Sequence, residues 1–215
     1  MTPDQPAASS LPAGELPAHQ AVRRQRIVDA ARSLLEKQAY EQIQIRDVAI
    51  TAGVALGTLY RYFSSKDHLY AAVLLDWSAG FTKSIGRGKA DDDPWRRLQT
   101  RIRRALVAFE KRPQFFRLLV ILLSSADPNA NALMDQFREF LEGTVQDDLA
   151  ELDPDGAQDY SVLIWAVMNN LLTRSIFQDR SMAEARRIND RFLDLLRLRF
   201  EAGPGAPGPA ATAAR

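Results

Sequence analysis

QIRDVAITAGVALGTLYRYFSSK, residues Gln44 to Lys66, reads as two short helices joined by a tight turn. Ile45, Val48 and Ala49 recur at i, i+3, i+4 while Arg46, Asp47 and Thr51 fall on the other side, which predicts an amphipathic helix over Ile45 to Ala52. Gly53 follows its last residue. A glycine there takes φ > 0 without steric cost and closes the helix, leaving Val54 to plug the angle between the two helices. Helical spacing restarts at Leu56 and runs to Phe63, with Leu59 and Phe63 facing inward and Thr58, Tyr60, Arg61 and Tyr62 spread over the remaining surface. Two helices joined in this way make a helix-turn-helix, the unit that lays its second helix in the major groove of DNA.

Two tyrosines and an arginine on so short an exposed helix suit groove and phosphate contact. Tyrosine hydroxyls and arginine forks are common phosphate ligands, and the rings pack on sugars or thymine methyls. Gly57 and Thr58 stand at the helix start, where the missing side chain lets the backbone approach and free amides attract phosphate. The candidate DNA-contacting set is Gln44, Arg46, Leu56, Gly57, Thr58, Tyr60, Arg61, Tyr62 and Lys66.

Residues 22 to 70 resemble the DNA-binding domain of the tetracycline-repressor (TetR) family. Its pattern is an aromatic closing the first helix, a hydrophobic-Arg-Asp-hydrophobic-Ala helix, Ala-Gly-Val, and Gly-Thr-Leu-Tyr-x-(His/Tyr)-Phe-x-(Ser/Asn)-Lys. Here those elements are Tyr40, Ile45 to Ala49, Ala52 to Val54, Gly57 to Phe63, and Ser65 with Lys66. Two positions depart from it. Gln44 and Ala55 stand where Ser or Thr usually caps the second and third helices, a loss worth about 1 kcal/mol each. The wording VALGTLYRYF is similar to actinobacterial sterol-catabolism repressors of the KstR type.

Composition agrees with a regulator. The 215 residues, 46% of them hydrophobic, suffice for a small module and a domain of ordinary size. With no cysteine and only His19 and His68, zinc sites, thiol nucleophiles and disulfides are excluded, and neither a cofactor nor a metal site is expected. No signal-peptide pattern and no run of ~20 apolar residues appears, so a cytoplasmic protein with no membrane partner is expected. Net charge is only +1, yet residues 20 to 70 hold eight Arg/Lys against five Asp/Glu, while residues 71 to 215 hold twenty of each. The surplus therefore sits in the proposed DNA-binding module, where Arg23, Arg24 and Arg26 are placed near phosphates.

The remainder reads as helices punctuated by proline, an all-α fold of about nine helices with no alternating strand pattern. Pro94, Pro113, Pro128 and Pro154 each mark a helix start, and Asp93, Asp127 and Asp153 directly precede three of them and can act as N-caps. Expected helices run over 20–38, 45–52, 56–63, 66–85, 94–111, 113–125, 128–152, 155–179 and 181–201. The division expected is a disordered tail over 1–19, a DNA-binding domain over 20–66, a ligand-binding and dimerisation domain over 67–202, and a disordered tail over 203–215.

Within the TetR-like architecture that the resemblance implies, large apolar side chains of the second domain line a cavity for a small apolar effector. The candidates are Phe109, Phe115, Phe116, Leu119, Leu123, Met134, Phe137, Trp165 and Met168, with Asn169 as polar anchor. Taken singly, each is also explained by core packing or, for Asn169, a dimer contact. The last two helices carry more apolar residues than one small core side needs. Val162, Leu172, Ile176, Phe177, Ile188, Phe192, Leu195 and Leu196 are therefore expected at a homodimer interface, a two-fold four-helix bundle by resemblance.

The function expected is a ligand-responsive transcriptional regulator. It would be a dimeric repressor on a palindromic double-stranded DNA operator, released by an apolar molecule such as a lipid- or steroid-derived CoA thioester. An all-helical scaffold with a purely structural helix-turn-helix is the alternative. An enzyme is disfavoured, because no nucleophile–base pair is visible and the Asp91 to Asp93 run suits a solvated turn.

Overall fold

The structure, a computed structural model, describes residues 17–85 and 93–201, the side chains of 81–85 excepted. Asp91, Asp92 and the greater part of both expected tails lie outside the described residues. Among the described residues there are nine α-helices and no strand: α1 (Ala18–Leu35), α2 (Ile45–Ala52), α3 (Leu56–Tyr60), α4 (Lys66–Ile85), α5 (Pro94–Lys111), α6 (Pro113–Leu122), α7 (Pro128–Leu152), α8 (Ala157–Phe177) and α9 (Met182–Glu201), with a short 3-10 turn at Tyr40–Gln42. The all-α fold of the sequence reading is the fold found.

Proline starts α5, α6 and α7 as expected, because its fixed φ suits the first helical turn and its missing N–H costs nothing there. Pro154 does not. It sits in a turn before α8, and the Asp153 carboxylate accepts the Gly156 amide (3.2 Å), folding that turn instead of capping a helix. Asp127 does cap α7, accepting the Asn129 amide at 2.8 Å. At Gln44 and Ala55, where Ser or Thr is missing, no side chain caps α2 or α3.

The helices divide into two packed units, drawn from Met1–Ser84 with Arg112–Glu139 and from Ile85–Lys111 with Phe140–Arg215. In the first unit, α1 packs against α2, and α2 against α3, around Ile27, Ala31, Val48, Leu59 and Phe63, all fully buried or nearly so. The Tyr70 hydroxyl donates to the Ala31 carbonyl (3.2 Å), and the Tyr70 ring meets Tyr40 edge-on at 5.1 Å. Asp76 on α4 accepts from Arg32 (2.7 Å) and Gln25 (3.0 Å), fixing α4 to α1. Further along α4, Trp77 stacks on Phe115 of α6 with ring centroids 4.6 Å apart. In the second unit α5, α8 and α9 pack together, α5 burying Trp95, Leu98, Ile102, Leu106 and Phe109 along one stripe. Buried Asp148 of α7 pairs with Arg97 (2.7 Å) and Arg101 (3.1 Å) of α5.

The turn between α2 and α3 is closed as the glycine requires. Gly53 adopts φ 65, its amide bonds to the Ile50 carbonyl (3.1 Å), and the Val54 amide reaches back to Ala49 (3.0 Å). The Arg26 guanidinium covers the same helix end, donating to the Ala52 carbonyl at 2.8 Å. A Cβ on residue 53 would stand 3.2 Å from that guanidinium. Gly53→Ala therefore combines left-handed backbone strain of about 1–2 kcal/mol with displacement of Arg26. Urea unfolding should show a loss of that size with an unchanged m-value.

His68 is buried, and its Nδ1 accepts the Ser64 amide at 3.1 Å, so that nitrogen carries no proton in the fold. Burial, opposed by Asp127 and aided by Arg24, pushes its pKa below 6.5. The unfolded chain then takes up the proton first as pH falls, so the contribution of His68 to stability is complete above 6.5 and declines below it. Unfolding free energy measured across that range should fall with acidity in the wild type. In His68→Gln this slope should disappear.

Candidate nucleic-acid interface

α3 is five residues long and has one inward side chain, Leu59, with Phe63 anchoring the turn behind it; both are fully buried. The helix ends at Tyr60, earlier than the Phe63 expected, and the chain continues in a turn held by the Tyr62 and Phe63 amides on the Leu59 carbonyl (3.0 and 3.1 Å). With Leu59 pinned inward, Leu56, Gly57, Tyr60 and Arg61 point to solvent, and Thr58 is half-buried. Tyr60 is 42% exposed and Leu56 39%, so a phenol and an apolar group project together from one surface. A Cβ built on Gly57 meets nothing, which leaves that position open to an approaching molecule. Gln44 and Arg46, at the start of α2, are exposed as well.

Tyr62 corrects the expectation of a surface side chain. It is only 9% exposed and belongs to the packed side of the turn, because α3 has ended and the helical spacing that placed it outward no longer applies. Two of the three basic residues assigned to phosphates also have internal tasks. Arg24 lies over the Phe63 ring at 5.0 Å, Arg26 closes α2, and only Arg23 is fully given to solvent without a bond inside the chain among the described residues. Lys66 donates to the Tyr40 carbonyl and stands 4.1 Å over the Tyr40 ring, and burial lowers its pKa. Its ammonium keeps two further donors at the start of α4.

Behind this surface lies a polar network that periodicity does not show. Tyr40 donates to Asp67, whose other oxygen accepts from Ser125 (2.6 Å). One oxygen of Asp127 accepts both Ser64 (2.7 Å) and Ser65. Burial raises the Tyr40 phenol well above its ordinary value, and the Asp67 carboxylate adds to this, so the hydroxyl stays a donor. The available signal was the aspartate already read as a cap of α7 and the paired serines before α4.

The effector candidates fall into both units. Phe115, Phe116, Met134 and Phe137 are buried in the first, where Leu119 is half-buried and Leu123 is 68% exposed, against the expectation for a cavity wall. α6 stops at Leu122, which leaves Leu123 on the solvent side of its end. Phe109 and Met168 are buried in the second unit, where the Trp165 indole donates to the Leu141 carbonyl (3.0 Å). Asn169 is exposed on α8 and is not a buried polar anchor, since it lies on the side away from Ile164 and Leu171. Of the dimer candidates, Val162, Phe177 and Leu195 are exposed, while Ile176, Ile188 and Phe192 are half-buried. Leu172 and Leu196 are corrected to core positions, buried where α8 and α9 face their own unit. Leu198 is exposed as a surface for a second copy requires, and Leu163, outside the expected set, is exposed too.

Residues 27–73 match the family model described as bacterial regulatory proteins, tetR family. The transcriptional repressor KstR of Rhodococcus jostii is 33% identical over 151 residues, covering 69% of this chain and 70% of that one. A crystal structure of a TetR transcriptional regulator from Rhodococcus sp. RHA1 superposes with a TM-score of 0.66 at 24% identity, over 83% of this chain and 97% of the other. FadR from Bacillus subtilis, solved in complex with stearoyl-CoA, shares the fold at a TM-score of 0.55 and 18% identity, over 80% and 96%. The two aligned helices, the glycine turn between them and kinship along two thirds of the chain lead to one conclusion: this protein belongs to the TetR family of bacterial regulators and is a DNA-binding transcription factor with no enzymatic role.

Proposed function

We propose that the chain is a cytoplasmic repressor that grips a palindromic operator as a two-fold dimer and releases it when an apolar effector binds. The observation that carries the DNA half is the solvent side of α3. Tyr60 and Arg61 protrude from a helix whose inward residues are fully buried, and among the described residues neither makes a hydrogen bond or ion pair within the chain. Long side chains held ready without an internal partner match phosphate and base-edge contact. Thr58, Leu56 and Gly57 lie beside them, Gln44 and Arg46 flank them from α2, and Lys66 serves phosphate with the donors that Tyr40 leaves free. The role of Tyr62 in this set is to pack the turn behind α3.

For dimerisation, α8 exposes Val162, Leu163 and Phe177, and α9 exposes Leu195 and Leu198. A second copy of the same two helices would cover them, and a two-fold dimer predicts operator half-sites about one helical turn of DNA apart, ~34 Å or a multiple. The effector class rests on kinship: the relative KstR is a repressor, and FadR carries stearoyl-CoA. A fatty acyl- or steroid-CoA thioester supplies a long apolar part for the aromatic and Met side chains of the helices after α4. Release needs only ~1–3 kcal/mol of coupling, a change in operator affinity of about 5- to 150-fold.

Titrating a duplex from upstream of the protein's own gene at two salt concentrations, with and without a panel of acyl-CoA and steroid-CoA compounds, tests the whole reading. Tyr60→Ala should weaken operator binding about tenfold, ~1.4 kcal/mol, with no change in unfolding midpoint. Arg61→Ala should weaken operator and random DNA alike and reduce the salt slope by about one per protomer. Unchanged affinity in Tyr60→Ala would refute the assignment of the reading helix. Leu195→Glu with Leu163→Glu should sediment as a folded monomer and lose operator binding; a dimer that persists would place the interface elsewhere.

A further inference from the structure

We infer that Asp127, on the turn between α6 and α7 and 67 residues beyond Tyr60 in sequence, is a positioning residue for operator binding: its carboxylate ties the end of the α3 turn in place through Ser64 and Ser65. The inference rests on the reading of α3 as the DNA-contacting helix.

A helix of five residues cannot hold its own direction in water, since helix formation becomes favourable only well beyond that length. What aims α3 is whatever fixes its two ends. The leading end is fixed by the Gly53 turn. The trailing end runs through Arg61 to Ser65 before α4 begins at Lys66. Phe63 and Tyr62 anchor this turn by burial, and their amides hold it to the Leu59 carbonyl. The serines add a side-chain tie to a distant part of the chain. Ser64 Oγ donates to Asp127 Oδ2 at 2.7 Å, Ser65 Oγ donates to the same oxygen, and Asn129 Nδ2 donates to Ser64 Oγ at 3.0 Å.

The tie is reciprocal. Asp67, one residue into α4, accepts from Ser125 Oγ (2.6 Å), which in turn accepts the Asp127 amide at 3.3 Å. Each side of the junction thus gives a carboxylate to a serine of the other. Bonds to an ionised acceptor are the stronger kind. Burial alone would raise the Asp127 pKa, but the two hydroxyls and the amides of Asn129 and Ala130 together hold it below 3.8, so the carboxylate is charged at neutral pH. Neither serine is needed to cap α7, which uses the Asn129 amide on the other oxygen and the Ala130 amide.

That separation supplies the test. Asp127→Ser keeps a good N-cap for α7 but is too short to reach both serines. Ser64→Ala with Ser65→Ala removes the donors from the opposite side. The operator is first selected by the wild-type protein from a random-sequence duplex library. Affinity for it and for a random duplex, unfolding midpoint, and amide exchange over residues 56–65 are then measured for each full-length variant.

Either variant should lose operator affinity about tenfold, the effect of a coupling of ordinary size, with little change on random DNA and faster exchange at the turn. The combined variant should lose no more than either alone. Unchanged operator affinity with faster exchange would overturn the inference, showing the bonds to be structural only. So would a parallel loss on operator and random DNA accompanied by a lowered unfolding midpoint. A wild-type protein that selects no sequence would instead remove the α3 reading, and the positioning role with it; selection followed by wild-type affinity in Asp127→Ser removes the positioning role alone.

Discussion

The shortness of α3, five residues, is the constraint on which the first unit is organised. So short a helix makes few internal bonds, and its orientation must be imposed by neighbours. Leu59 and Phe63 are driven inward by burial, the Gly53 turn sets the angle to α2, and α1 and α4 close over the resulting core. Rigidity is thus assembled from packing and from polar bonds at the ends, while the outward side is left free of internal obligations. Tyr60 and Arg61 project, with Leu56 and Gly57 beside them, because Leu59 and Phe63 take the inward side.

The same economy explains where charge goes. A count of basic residues places a surplus in residues 20 to 70, and the surplus is real. Much of it is spent within the molecule: Arg26 covers the carboxyl end of α2, Arg32 pairs with Asp29 and Asp76, Arg24 lies on Phe63, and Lys66 covers Tyr40. Among the described residues, what faces outward without a partner is the smaller group of Arg23, Lys37, Arg46 and Arg61. A charge count measures stock, whereas an interface depends on which guanidinium groups have no carboxylate or carbonyl within reach.

Sequence was most informative where one residue decides local geometry. Proline at the first turn gave the starts of α5, α6 and α7, and glycine at the turn gave the end of α2, because each restricts or frees φ regardless of tertiary context. Pro154 misled because a proline can equally begin a turn, and Asp153 there bonds Gly156 rather than a helix amide of α8. Tyr62 misled for a related reason. Extrapolating helical spacing beyond Tyr60 assigns it a surface that the chain, having left the helix, no longer follows. Asp127 was legible as a cap, but its pairing with Ser64 and Ser65 was not, since the partners are some sixty residues apart and neither periodicity nor propensity relates them.

Amphipathic spacing has its own limit on α8 and α9. It marks apolar positions but not the partner each one meets, so Leu172 and Leu196, which serve their own core, look the same in sequence as Val162 and Leu195, which do not. The distinction is one of angle around the helix. On α8, Val162, Ala166, Asn169, Thr173 and Phe177 follow one another at steps of three and four, a single face lying away from Ile164, Met168 and Leu171. That face mixes large apolar groups with an amide and a hydroxyl. Such a mixture is unsuited to a core, where the amide would need a partner, and well suited to a surface that is sometimes wet and sometimes covered. Asn169, first read as an anchor for an apolar ligand, stands on this exposed face instead.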